Sequence, residues 1–130
     1  MDTITLYRIE KDGIGPFCHP ERYENEYLDT VMNDLGIDKT RHPVPFDDRL
    51  IKKWTIMHCF PNYMQCATIS LESLEDWFCG AFDALAGAEF AVAEVTIAKQ
   101  HVVIGETQVI FDSTQIIKKM YRAIPEVFTF

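Results

Sequence analysis

Basic residues are scarce in this chain: twelve lysines and arginines stand against twenty aspartates and glutamates, a formal net charge of −8. That deficit disfavours direct binding to DNA or RNA, which needs cationic surface to neutralise phosphates. An unbroken apolar run of ~18 residues, the length a membrane span requires, is also missing, so no membrane partner is expected. The cysteines Cys18, Cys59, Cys66 and Cys79 include no Cys-x-x-Cys pair, and no secretory-type segment precedes them. Free thiols in a reducing, cytoplasmic setting are the simplest expectation. Linkers, internal repeats and low-complexity stretches are lacking as well.

What is present is ordinary globular composition. The 130 residues fit one domain, and 48% of them are apolar, enough for a core without staples. The acidic excess keeps a small protein soluble. It equally suits a basic protein surface as partner, including one that normally holds nucleic acid.

Thr3 to Ile9 reads as a strand, broken by Asp12-Gly13 and Gly15-Pro16. Pro20 and Glu21 suit a helix start, and Tyr23, Tyr27, Leu28, Val31 and Leu35 keep helical spacing up to Gly36. The close prolines Pro43 and Pro45 exclude helix between Ile37 and Asp48. Arg49 to His58 fits a helix or a strand. Pro61-Asn62 marks a turn, and Met64 to Ile69 a short strand. Ser70 is a good N-cap for a helix whose apolar face runs Leu71, Leu74, Phe78, Ala81, Phe82 and Leu85, ending at Gly87. Glu89 to Lys99 alternates as a strand. Val102 to Ile104 and Thr107 to Phe111 form a hairpin around Gly105-Glu106. Ser113 caps a last helix carrying Ile116, Ile117, Met120 and Tyr121, stopped by Pro125. The expected fold is α+β: a single domain, with a largely antiparallel sheet and about three helices.

Arg8 is the first candidate for chemistry. A guanidinium on a strand facing a cleft offers a planar fork of donors to phosphate or ribose oxygens, and Gly13 and Gly15 let a ligand approach the backbone. The competing reading is an edge arginine paired with a carboxylate such as Glu10. Glu106 and Gln108, two residues apart on a strand, share a face. Such a pair can hold a sugar hydroxyl and steady a developing positive charge. Alternatively, Glu106 is a turn residue and Gln108 a solvent-facing one. Cys18-His19 and His58-Cys59 use zinc-ligating residue types, but their spacing matches no common zinc module, and no metal is expected. Trp54, Tyr63, Trp77 and Phe78 read as core, or as an interface patch where exposed.

The segments Leu6-Tyr7-Arg8, Gly13 to Phe17, Ser70 to Phe78 and Gln108 to Phe111 together resemble a set of small bacteriophage and prophage proteins. Their order also resembles the mono-ADP-ribosyltransferase fold. That resemblance implies NAD as cofactor, with Arg8 holding it, Thr68 or Ser70 at the middle polar position, and Glu106 or Gln108 at the late catalytic one. Those enzymes carry a carboxylate where this chain has Gln108, and an amide cannot stabilise an oxocarbenium-like centre as a carboxylate does.

Three functions fit these readings. One is an NAD-dependent transferase used by a phage against a host protein. The second is a non-catalytic inhibitor or adaptor, whose acidic surface (Asp47, Asp48, Glu72, Glu75 and Asp76, with Trp77) occludes a basic site on a host protein, such as one in a nucleic-acid-binding defence complex. The third is a homodimer formed through a sheet edge or the Trp77 helix.

Overall fold

The first strand sets the frame. β1 (Thr3–Glu10) pairs antiparallel along its whole length with β3 (Ala91–Ala98), from Thr3↔Ala98 to Glu10↔Ala91. β3 pairs on its other side with β6 (Ile116–Ala123), whose register slips at a bulge beside Thr96/Ile97. A second three-stranded sheet has β5 (Val109–Asp112) between β2 (Met64–Ala67) and β4 (Val102–Ile104), again all antiparallel. Reciprocal backbone bonds of 2.9 and 2.8 Å between Tyr7 and Thr68 tie the two sheets together. These elements come from a computed structural model that describes residues 2–37, 48–58 and 63–129. Asp47, the Pro43–Pro45 segment, Cys59 and the Pro61-Asn62 turn lie outside the described residues.

Five α-helices complete the described architecture: α1 (Glu26–Ile37), α2 (Arg49–His58), α3 (Leu71–Trp77), α4 (Phe82–Gly87) and α5 (Ile124–Val127). Two apolar clusters hold the layers. Leu6, Ala93, Val95 and Ile97 of the first sheet meet Ala67, Val109 and Phe111 of the second. On the opposite face, Ile9 and Val92 meet Leu28 and Met32 of α1, Leu74 of α3, Phe82 and Leu85 of α4, and Ile124 of α5.

Local chemistry explains where the observed elements depart from the sequence expectation. The helix expected from Pro20 to Leu35 is two pieces. Pro20–Glu24 is a 3-10 turn, and Asn25 Oδ1 then accepts from Leu28 N (3.0 Å), capping α1 afresh. Tyr23 and Tyr27, expected on the apolar face, are exposed. Ser70 does cap α3, accepting from Ser73 N (3.1 Å). The helix nevertheless stops after Trp77, because Gly80 takes φ +90°, a conformation glycine alone adopts without strain, and α4 starts anew. The 49–58 segment is helical. The expected last helix is a correction: Ile116 to Tyr121 lie in β6, and Ser113 begins only a 3-10 turn whose Thr114 N is capped by Asp112 (2.9 Å). The apolar spacing there fits a helix, but a long pairing with β3 wins over local pattern. Pro125 does not end a helix; it sits in the first turn of α5.

Candidate functional site

Alternation along β1 places Ile4, Leu6, Arg8 and Glu10 on one face. Leu6 lies under the second sheet, so Arg8 and Glu10 are carried into the same buried layer, 8% and 0% exposed. The register sets Arg8 opposite Ala93 and Tyr121, and Glu10 opposite Ala91 and Ala123. The small alanines on the middle strand leave a gap across which long side chains of the outer strands meet. Glu10 uses it fully. Its Oε2 lies 2.8 Å from Arg8 Nε, off the line of a hydrogen bond; its Oε1 accepts from Lys119 Nζ (2.8 Å) and Tyr121 Oη (2.5 Å).

Arg8 Nη1 donates to the Cys66 carbonyl (3.3 Å), and a Cβ on Gly15 would stand 3.3 Å from Nη2. Gln65 Nε2 donates to Gly13 O (3.2 Å), while its buried Oε1 has no hydrogen-bond partner among the described residues. Asp12 and Gly13, at φ 55° and 77°, form a tight turn closed by Lys11 N to Ile14 O (2.9 Å) and its reciprocal (3.0 Å). Burial lowers the Arg8 pKa, against the opposing pull of Glu10. Burial, and then the bond to Glu10, pushes the Tyr121 phenol up to about 12. Burial raises the Cys66 thiol to about 11, with Arg8 working the other way.

The late hairpin builds a second centre. Asp48 Oδ1 accepts from Leu50 N (3.1 Å) and Ile51 N (3.2 Å), capping α2. Its Oδ2 accepts from Thr107 N (2.7 Å) and Thr107 Oγ1 (2.8 Å). Burial works to raise the Asp48 pKa, but these donors outweigh it and hold the carboxyl down at about 2. Glu106 is exposed and ion-paired with Arg49 (2.5 Å to Nη2). Gln108 is buried rather than solvent-facing, and its carbonyl accepts from Gly105 N (2.9 Å).

The candidates named from sequence therefore fall in three places. Arg8, Gly13 and Gly15 gather around Gln65 and Cys66. Asp48, Glu106 and Gln108 gather at the α2–hairpin junction. Ser70, Glu72, Glu75, Asp76 and Trp77 belong to α3 or its cap. Arg8 and Glu106 share no partner among the described residues. Asp48, expected on an exposed acidic surface, is 1% exposed and satisfied internally, because it caps a helix and anchors a turn at once. Sequence reading missed Lys119 and Tyr121, whose approach to Glu10 depends on sheet register. It also missed Arg22, buried between Asp29 (2.8 Å), the Phe17 carbonyl (2.8 Å) and Asn33. The Ala-x-Ala of β3 was the available signal that something large crosses that strand.

His19 is buried. Its Nδ1 accepts from Glu21 N (3.1 Å), and its ring meets Phe90 edge-on. Among the described residues no group of three or more His, Cys, Asp or Glu side chains is placed to hold a metal ion. No helix of these residues is long and apolar enough to cross a membrane.

The third place is acidic throughout. α1, α3 and α4 carry seven carboxylates and no lysine or arginine. They pack on one apolar cluster, and Tyr27 Oη of α1 donates to Asp83 of α4 (2.7 Å), so their outer faces form one acidic layer. A surface depression of about 270 Å³ opens beside it, lined by Lys11, Glu21, Glu24, Asn25, Gly87, Ala88 and Glu89. Lys11 is tied down there by Glu21 (2.5 Å) and the Ala88 carbonyl (3.0 Å).

Residues 1–123 match the family model described as Bacteriophage T4 Y00F protein. The chain belongs to that phage protein family. Neither the curated proteins nor the solved structures contain a match to it.

Proposed function

We propose that this Y00F-family protein works in the cytoplasm of the phage's host by binding a host protein. Its acidic helical layer occludes a basic site there, of the kind that otherwise holds nucleic acid. The observation that carries this reading is the segregation of charge: the helices that share one core carry acids alone. Glu72, Glu75 and Asp76 are exposed on α3, with Trp77 partly exposed beside them. Such a surface recognises a cationic partner through charge complementarity and steers its approach. The depression edged by Glu21, Glu24 and Glu89 adds a concave place for a cationic side chain.

A second reading keeps the ADP-ribosyltransferase resemblance and NAD. It is favoured by one observation: Gly15 stands beside Arg8, where a Cβ would come within 3.3 Å of Nη2. Against it, Glu10 already holds that guanidinium, and Glu106 sits with Arg49.

One experiment separates the two. Host extract is passed over the protein, over a Glu72→Lys/Glu75→Lys/Asp76→Lys variant and over Glu106→Ala, and the retained host protein is weighed intact after incubation with NAD. The binding reading expects retention by the wild type and Glu106→Ala, loss with the triple variant, weaker retention as salt shortens the screening length, and unchanged mass. Equal retention by the triple variant overturns it. A mass gain that requires NAD and Glu106 moves the function to transfer.

A further inference from the structure

β6 closes one edge of the first sheet: it pairs with β3 and with no other strand among the described residues. Its eight residues carry three cations and no carboxylate, on a protein of net charge −8. Three large apolar side chains stand open along it: Ile117 (56% exposed), Met120 (48%) and Tyr121 (53%). By contrast, the outer strands of the second sheet are short, four residues in β2 and three in β4. An edge strand presents unpaired N–H and C=O groups to any extended chain, and open apolar side chains reward the pairing.

The alternation decides what fits. Lys118, Met120 and Arg122 share one face of β6; Lys119, Tyr121 and Ala123 share the other. Lys119 is drawn inward to Glu10, and Arg122 reaches Glu94 (3.0 Å) while remaining partly exposed. Lys118 is exposed. An added antiparallel strand therefore meets a cation, an apolar side chain and a cation in turn on the first face. A second copy of β6, centred on Met120, would set Lys118 against Arg122, and like charges directly opposite repel. We propose that β6 is a docking edge for an extended segment of another protein, one carrying carboxylates at positions i and i+4 around an apolar residue at i+2. This surface is separate from the acidic helical layer and takes the opposite charge.

The test uses the full chain, isotope-labelled, with a synthetic capped peptide Thr-Glu-Thr-Val-Thr-Glu-Thr at millimolar concentration. Slower amide exchange confined to residues 118–123 is expected. Lys118→Glu, an exposed position whose folding is checked by an unchanged melting temperature, should weaken binding about threefold or more. The peptide with Lys in place of Glu should leave the exchange unchanged. Unaltered β6 exchange with the acidic peptide overturns the proposal. So does protection on β4 instead, or β6 protection that grows with protein concentration in the absence of peptide, the mark of a second copy.

Discussion

Among the described residues two carboxylates are withdrawn from water, Glu10 at 0% and Asp48 at 1% exposure, and they are held in opposite ways. Glu10 is surrounded by formal charge and a phenol, drawn from two strands at opposite ends of the sequence: Arg8 beside it, Lys119 and Tyr121 across the sheet. Asp48 is held by neutral donors: two N–H groups of the helix it caps, and the amide and hydroxyl of Thr107. The first arrangement is expensive in desolvation, since each ion relies on its partners. The second uses backbone dipoles that folding α2 and the hairpin orients anyway, so the carboxylate stays ionised at little further cost. Both carboxylates are thus engaged inside the fold, whereas Glu72, Glu75 and Asp76 of α3 stand exposed.

The comparison breaks first at Glu10. Glu10→Leu strands Arg8 and Lys119 as cations without their buried counter-charge, and should cost about 3–5 kcal/mol in urea unfolding. Arg8→Met together with Glu10→Leu should recover much of that loss, because an apolar pair of similar volume needs no desolvation. A single Glu10→Leu costing less than about 1 kcal/mol would show that the network contributes little.

The two centres also differ in how far the sequence discloses them. Ser70 as a cap, the hairpin around Gly105-Glu106 and the strands containing Arg8 and Val95 are set by neighbours a few residues away, and they are readable. The pairing of Arg8 with Glu10 was among the readings because residues i and i+2 share a strand face. Lys119 and Tyr121 were not, since a residue more than a hundred positions away arrives only through the β1–β3–β6 register. The same register turned an apparent helix at Ile116 to Tyr121 into an edge strand. Asp48 looked like surface charge because it stands in the acidic pair Asp47-Asp48 before an undecided segment; its role appears once residues 49–58 are known to be helical. The acidic layer was half legible. Glu72, Glu75 and Asp76 were named from α3, whereas its union with α1 and α4 is a packing result.

At Asp48 the expected effects are smaller and depend on pH. Asp48→Ala removes the cap of α2 and leaves Thr107 N–H without its acceptor, about 2–3 kcal/mol in all. The carboxyl's folded pKa, about 2, lies below its ordinary value of 3.8. Its contribution is therefore fully present above pH ~4 and is lost as the pH falls through 4 toward 2, about 2 kcal/mol over that window. Stability curves from pH 2 to 6 should show this acid limb in the wild type and a shallower one in Asp48→Ala. Identical slopes would mean that other carboxylates account for it.

The finest distinction lies between two glycines, one beside each centre. A Cβ on Gly105 would lie 2.7 Å from both Cγ and Oδ1 of Asp48, a side chain locked by four hydrogen bonds. A Cβ on Gly15 would lie 3.3 Å from Arg8 Nη2, the far end of a long side chain that need give by only tenths of an ångström. Neither glycine has a positive φ, so the issue at both is space rather than backbone conformation. Gly105→Ala should therefore cost about 1–2 kcal/mol, and Gly15→Ala under about 0.5. The Gly105 penalty should shrink when Asp48 is already alanine, because the two side chains compete for one volume, giving a coupling of at least about 0.5 kcal/mol in a double-mutant cycle. Additive effects would show that the turn relaxes away from Asp48 on its own, and that the rigidity assigned to this neutral-donor centre is overstated relative to the ionic one.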